Sequence, residues 1–132
     1  MGTYYKGETK TYHSLLDNIV EVKKHYKINE KGFFGEKGKS TKRMIRQINC
    51  ENPVDEATNF YNIISYGGIE KTIIKNNNKI KITLLKDGTI ITLRIITSTI
   101  DSPSVEINIR DSKNHSNIKY QKIHFKKKET KW

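Results

Sequence analysis

The sequence predicts a single domain of the α+β class, in which N-terminal helices pack on one face of a four-stranded antiparallel sheet. Two features of the apolar pattern predict this class. Up to Gly68, apolar residues recur every three or four positions, as they do in amphipathic helices. After Gly68 they recur at every second position, as they do in strands that bury one face. Helices followed by strands, rather than alternating with them, are typical of α+β domains.

Three helices are expected before the sheet. The first covers residues 11–27, where apolar side chains form one stripe. A glycine-rich basic loop then leads to a short helical pattern that contains Met44 and Ile48. The third helix begins at Pro53, because a proline ring suits the first helical turn, and it ends before the glycine pair 67–68.

Four strands are expected after the third helix. They are centred on Ile82, Leu93, Ile107 and Ile123, and each alternates apolar with polar residues. The turn at Asp87-Gly88 is a hairpin signal between the first two strands. If the apolar positions face the helices, the other face of the sheet is polar and positively charged. The side chains predicted for this face are Lys81, Thr83, Thr92, Arg94, Glu106, Asn108, Arg110, Tyr120, Lys122 and His124.

The length of 132 residues suits one domain, and 34% hydrophobic with 30% charged residues is the mix of a folded chain. We expect a linker at residues 1–10, the domain at residues 11–128 and a short tail at residues 129–132. The single cysteine, Cys50, excludes an internal disulfide, so secreted disulfide scaffolds are excluded. No apolar run approaches the ~20 residues of a membrane helix, so no membrane span is expected.

The charge balance points to a polyanionic partner. The chain has 25 Lys and Arg against 14 Asp and Glu, a formal net charge of +11. Such an excess makes the folded chain repel itself, which a purely structural domain has little reason to tolerate. Most of the basic residues lie within periodic segments, which places them on folded surfaces rather than in a tail.

Three of the polar residues suit the chemistry of RNA cleavage without a metal. That reaction needs a group that accepts the 2′-hydroxyl proton, a group that protonates the leaving oxygen, and donors around the phosphorane. His124 is the side chain on the predicted face that titrates near neutral pH without a large shift. Arg94 is suited to hold a phosphate bidentately, and Thr97 can donate a further hydrogen bond.

Five basic residues are expected to guide the RNA backbone, because phosphate contacts need only cations. The five expected backbone-binding residues are Lys39, Lys42, Arg43, Lys81 and Lys122.

His13, near the start of the first helix, is a further catalytic candidate if it reaches the sheet.

The sequence also allows a metal-dependent nuclease as an alternative. Asp111-Ser112-Lys113 matches the acid-x-Lys element of such enzymes, and Asp87 or Asp101 could supply a second carboxylate for magnesium. These acids lie in predicted turns, where aspartate is common for structural reasons. The histidines and the lone cysteine show no zinc-ligand spacing. We therefore expect no metal and no cofactor.

Four segments together resemble a known family. They are GFFGEKGKSTKRMIRQI, NPVDEATNFYNIISYGG, LLKDGTIITLRIITSTIDSPSVEINI and YQKIHF. In this order they resemble the C-terminal toxin domains of bacterial polymorphic and contact-dependent growth inhibition toxins. More narrowly, they are similar to the RNase domains grouped with barnase, EndoU, the colicins and RelE. The resemblance covers residues 12–125.

The resemblance implies a function, a partner and a location. The implied function is an antibacterial ribonuclease, in many relatives a nuclease of transfer RNA, that a cognate immunity protein neutralises. Since the domain is basic, we expect the immunity protein to be acidic and to cover Arg94, Lys122 and His124. Some toxins of this class act on tRNA presented by elongation factor Tu, which is a further candidate partner. The domain would be secreted or delivered from a cell surface as the end of a larger toxin, and would act in the cytoplasm of the target cell.

Carried over by position, the family motifs fall on Arg94, Thr97 and His124. The sequence departs from the family pattern by having Thr97 where serine is common, and Phe33 where a histidine is often found. If that histidine is catalytic in relatives, His13 is the first candidate to replace it here.

A second functional class remains open at this point. A non-catalytic RNA-binding module would use the same basic surface, since composition alone supports binding as well as cleavage. Tyr120 is the single aromatic side chain on the predicted face, which argues against recognition by base stacking.

Overall fold

The structure of the protein, a computed structural model, describes residues 13–38, 42–76, 78–95, 102–109 and 117–128. The expected N-terminal linker and C-terminal tail lie outside these ranges. Within them the chain forms two α-helices and seven β-strands. In chain order these are α1 (Leu15–His25), β1 (Glu36–Lys37), β2 (Ile45–Cys50), α2 (Pro53–Ile64), β3 (Ile69–Lys75), β4 (Asn78–Leu84), β5 (Ile90–Ile95), β6 (Ser104–Asn108) and β7 (Gln121–Lys127).

The strands of the described chain form one seven-stranded sheet in the order β1-β2-β7-β6-β5-β4-β3. Every neighbouring pair is antiparallel except β2 and β7, which run parallel. The predicted fold class, a four-stranded antiparallel sheet behind N-terminal helices, is therefore wrong. The sheet is mixed, and the described elements are mostly strand.

Two elements account for the difference. β2 lies where the spacing of Met44 and Ile48 predicted a short helix, because a short apolar run cannot distinguish a buried strand from a helix. β3 was not predicted at all. Its residues are all exposed, so they show no alternation of buried and exposed positions. The four predicted strands correspond to β4, β5, β6 and β7.

The first helix, expected over residues 11–27, is observed as α1 over Leu15–His25, and α2 begins at Pro53 as expected. At α1, the Ser14 side chain accepts from the Asp17 backbone while the Asp17 carboxylate accepts from the Ser14 backbone, a capping box. These contacts lower the pKa of Asp17. At α2, Pro53 occupies the first helical position, where its missing N–H costs no hydrogen bond.

The core lies between α2 and one face of the sheet. α2 packs on β5, β6, β7 and β2, and α1 packs on α2. Phe60 of α2 is at the centre, with ring centroids 5.1 Å from Phe34 and 5.7 Å from Phe125. Leu93 and Val105 reach this core from the sheet and are fully buried. We call this the helix-covered face.

The pairing register assigns the remaining strand residues to faces, because directly paired residues point to the same side. Residues that alternate with the core positions lie on the opposite side, which no described helix covers and which we call the open face. Lys81 pairs with the core residue Leu93, and the Thr83 hydroxyl bonds to Tyr61 of α2. The predicted placement of Lys81 and Thr83 on the open face is therefore wrong, since both lie on the helix-covered face.

Candidate nucleic-acid interface

His124 and Arg94 lie in one row across the open face. Ser104 of β6 pairs with His124 of β7 on one side and with Arg94 of β5 on the other. Since neighbouring strands are ~4.8 Å apart, the backbones of His124 and Arg94 are separated by about 10 Å. Gln47 of β2 continues the row beyond His124. An imidazole residue and a guanidinium residue thus lie on the same face, on either side of a hydroxyl residue.

The His124 ring has a polar neighbour in the segment before β6. Its Nδ1 lies 3.4 Å from the Ser102 hydroxyl, and the side chain is half-buried. The neighbouring Ser104 is buried, whereas Arg94 is exposed. The imidazole is therefore oriented by its surroundings while the guanidinium can move towards a ligand.

A second row of paired residues on the open face lies two residues closer to the start of β7. It contains Lys122 of β7, Glu106 of β6 and Thr92 of β5, which pair directly. Glu106 is thus a diagonal neighbour of both His124 and Arg94, about 7 Å away across the strands. The Tyr120 hydroxyl donates a hydrogen bond to Glu106, and this contact raises the pKa of Tyr120.

A groove of about 700 Å³ adjoins this second row at Tyr120. Three short segments form it: the turn at residues 29–33, residues 42–44 before β2, and residues 117–120 before β7. Four cationic side chains and one carboxylate, Glu30, line it. The full lining is Glu30, Lys31, Phe33, Lys42, Arg43, Met44, Asn117, Lys119 and Tyr120.

Two buried polar side chains fix the walls of the groove. The Gln121 amide donates to the carbonyls of Gly32 and Lys119, both at 2.9 Å, and accepts from the Phe34 N–H. The Arg46 guanidinium donates to the carbonyls of Phe34, Gly35 and Arg43. It also lies over the Phe33 ring, 5.0 Å from the centroid. Because Gln121 and Arg46 each bridge separate segments, the groove is formed without a ligand.

Glycine is required at position 32, where the turn at residues 29–33 meets the segment at residues 117–120. Its φ of +90° lies in the left-handed region that disfavours other residues. A Cβ atom at this position would lie 2.0 Å from the Asn117 carbonyl oxygen, so no side chain fits. The turn at residues 29–33 can therefore approach the segment at residues 117–120, which leads into β7, closely.

The structure groups some of the predicted backbone-binding residues and separates others. Lys42 and Arg43 line the groove, and Lys122 lies beside it on the open face. Lys81 lies on the other face, as described above. Lys39 and Thr97 lie outside the described residues.

The structure does not bring His13 to His124. His13 lies in the helix layer, where its Nδ1 is 2.9 Å from the Asn18 side-chain oxygen and its ring packs edge-on against Tyr66. The sheet separates this position from the open face. His13 has a local structural role that connects the start of α1 with the end of α2.

Several residues of this surface were not singled out from the sequence. Lys31 and Lys119 join the groove, yet they are far apart in the chain and show no common spacing. Gln121 has a polar side chain at a fully buried strand position, which is the signal that could have identified it. Glu106 was placed on the correct face but was given no role.

Of the acidic residues considered for a metal-dependent site, the structure describes Asp87. The Asp87 carboxylate accepts from the backbone N–H of Leu15 and of Thr89, so it caps α1 and shapes the hairpin turn. Asp101, Asp111 and Lys113 lie outside the described residues. In the part of the chain that the structure describes, no three His, Cys, Asp or Glu side chains group closely enough to hold a metal ion.

Comparison with protein-family models, curated proteins and solved structures found no match for this chain. None of the described helices has the length and apolar character needed to cross a membrane.

Proposed function

We propose that this protein is the ribonuclease domain of an antibacterial toxin and cleaves RNA, with tRNA as the expected substrate. The observation that carries the proposal is the row that places His124 and Arg94 on either side of Ser104 on the open face. A titratable imidazole and a phosphate-binding guanidinium at this separation suit phosphoryl transfer. The sequence resemblance described above adds the toxin context.

The proposed reaction is an internal transfer at one phosphodiester. The 2′-oxygen forms a bond to phosphorus, and the bond from phosphorus to the 5′-oxygen breaks. One group accepts the 2′-hydroxyl proton and a second group protonates the 5′-oxygen, so the products are a cyclic phosphate and a free 5′-hydroxyl. Arg94 stabilises the charge that develops on the equatorial oxygens.

We assign the two proton positions to His124 and Glu106. Glu106 is a carboxylate diagonal to both His124 and Arg94, so all three groups can surround one phosphate. A carboxylate can accept the 2′-hydroxyl proton as a general base, and an imidazolium can protonate the 5′-oxygen as a general acid. The reaction then needs no metal ion.

The groove supports the choice of a polyanionic substrate. Lys31, Arg43 and Lys119 contribute positive charge, and the ion pairs found in the described ranges involve Glu21 with Lys24 and His25 instead. The charges of Lys31, Arg43 and Lys119 are therefore available to phosphates. Phosphates attract such cations through an interaction that is independent of sequence and weakens with salt.

The positive charge of this surface also supports an acidic protein as the partner. An acidic immunity protein that covers Arg94, Lys122 and His124 would block the substrate and associate rapidly through opposite potentials. Its affinity should then fall with salt and with charge reversal at Arg94 or Lys122. Delivery as the end of a larger toxin, action in the target cytoplasm and presentation of tRNA by elongation factor Tu belong to the same proposal.

The deciding experiment incubates the purified protein with total tRNA in excess chelator. We expect cleavage that leaves cyclic phosphate ends, and a loss of about 100-fold or more in His124→Ala. His25→Ala is the matched control, since His25 is exposed on α1 and lies on the other side of the sheet. Tight RNA binding without cleavage would favour the non-catalytic RNA-binding module, and cleavage only with magnesium would favour the metal-dependent alternative.

A further inference from the structure

We infer that the groove beside Tyr120 is a subsite for single-stranded RNA, in which a base stacks on the Tyr120 ring while lysine and arginine side chains hold the flanking phosphates. This inference rests on the proposed function, because it names the part of the RNA that the groove would bind. It differs from the sequence-based expectation, in which Tyr120 stood alone on the predicted face, because Phe33 and Met44 line the groove beside Tyr120.

The first support is the chemical character of the groove. Tyr120 and Met44 are 38% and 40% exposed, and Phe33 lies beside them in the wall. An aromatic ring with apolar neighbours offers a stacking surface that accepts any base, since every base has a π-face. Lys31 and Lys119 are placed around it to contact phosphates. This combination of an aromatic platform and a cationic rim is typical of proteins that bind single strands.

The second support is rigidity. The Tyr120 hydroxyl bonds to Glu106, which orients the ring before any ligand arrives. The walls on either side are held by the buried side chains of Gln121 and Arg46. A preformed site loses little conformational entropy when it binds, so more of the stacking energy appears as affinity.

The third support is position. Tyr120 precedes His124 by four residues along an extended segment, which corresponds to about 13 Å. Lys122 lies between them on the same face. An RNA strand with one base in the groove would therefore run along β7 and bring a neighbouring phosphate to the row of His124 and Arg94. The groove thus selects unpaired RNA next to the cleaved bond.

The test measures binding separately from cleavage. A labelled 2′-O-methyl RNA of about eight residues lacks the nucleophile but keeps the bases and phosphates, and its length suits a single-strand site. Binding is followed by fluorescence anisotropy with the full chain at about 50 and about 200 mM salt. A hairpin duplex of the same composition serves as the second probe.

We expect Tyr120→Ala to weaken single-strand binding about tenfold and Tyr120→Phe to weaken it less than about threefold, because phenylalanine keeps the ring. The double change Lys31→Ala and Lys119→Ala should reduce the salt dependence of binding. Tyr66→Ala and Lys23→Ala, at exposed positions in the helix layer, are the matched controls. The duplex should bind more weakly than the single strand.

Each contrary result has a distinct meaning. If Tyr120→Ala binds the single strand as well as the wild type, or if the duplex binds better, the subsite is overturned while cleavage of tRNA can still stand. If the wild type fails to bind the single strand at low salt, the subsite is likewise overturned. If binding depends on Tyr120 but tRNA is not cleaved, the subsite stands and the ribonuclease proposal fails. Circular dichroism of each variant checks that the fold is kept.

Discussion

The two faces of the sheet use the same strands for opposite purposes. On the helix-covered face, β7 supplies Ile123 and Phe125, which are fully buried in the core. On the open face the same strand supplies Lys122 and His124, which remain partly accessible. Since strand side chains alternate, one face can be fixed by packing while the other is left for a ligand. Residues that stabilise the core and residues proposed for the chemistry therefore alternate along β7.

The comparison predicts its largest effect at the centre of the helix-covered face. Phe60→Ala removes a fully buried ring that packs against Tyr26, Phe34 and Phe125, so it should lower the free energy of unfolding by about 3–5 kcal/mol. Urea denaturation measures this loss. The control is Val54→Ala on the same helix, which is 45% exposed and should change stability by less than about 0.5 kcal/mol. A small effect at Phe60 would mean that the core lies elsewhere.

A smaller effect is expected from the polar contact that joins α2 to the sheet. The buried Tyr61 hydroxyl donates to Glu70 at 2.9 Å and bonds to the buried Thr83 hydroxyl. Tyr61→Phe leaves Thr83 without this partner and should cost about 1–2 kcal/mol. Urea denaturation at neutral pH measures the difference, with Tyr66→Phe as the exposed control.

The same tyrosine gives a pH dependence. Burial raises the pKa of Tyr61 from 10.0 to about 12, so the folded state holds this proton more tightly than the unfolded state. The resulting stabilisation is fully present below pH 10 and is lost as the pH rises through about 12. Tyr61→Phe should therefore lose less stability than the wild type between these two pH values. An equal loss in both proteins would contradict the assignment.

The smallest effect on stability is expected on the open face. Arg94 is exposed, so Arg94→Gln should change the free energy of unfolding by less than about 0.5 kcal/mol. The same change should lower tRNA cleavage about 100-fold, since it removes a charged donor to the phosphate. Denaturation and cleavage assays on one preparation give both values. A loss of stability as large as that of Tyr61→Phe would show that the open face also contributes to the stability of the fold.

The sequence predicts the parts of the fold that local rules determine. The apolar stripe predicted the first helix, although over residues 11–27 rather than Leu15–His25, and Pro53 predicted the start of α2. The inward positions Leu93 and Val105 follow from alternation within central strands. In these places neighbouring residues carry enough information to fix the structure.

The failures occur where distant partners decide the structure. In β4 the apolar residues Ile80, Ile82 and Leu84 alternate cleanly, and this pattern predicts that they face the helices. The structure turns Thr83 inward instead, because Tyr61 of α2 supplies a partner for its hydroxyl. Local alternation shows that a strand has two faces but does not identify the buried one.

The candidate site divides in the same way. The row of His124 and Arg94 could be predicted, since both residues alternate with core positions in strands that were recognised. The groove could not, because its walls come from three segments far apart in sequence and depend on buried contacts of Gln121 and Arg46. No local spacing connects Lys31 with Lys119.

The parallel pairing of β2 with β7 also sets the order in which the domain can be completed during synthesis. Cys50 and Lys126 meet across these strands although they are 76 residues apart in the chain. Until β7 has been made, β1 and β2 have no connection to the rest of the sheet, and Phe60 lacks its Phe125 neighbour. Non-local pairing of this kind slows folding and leaves apolar surface exposed in incomplete chains. The surface formed by β2, β7 and the groove is therefore completed only after β7 has emerged from the ribosome.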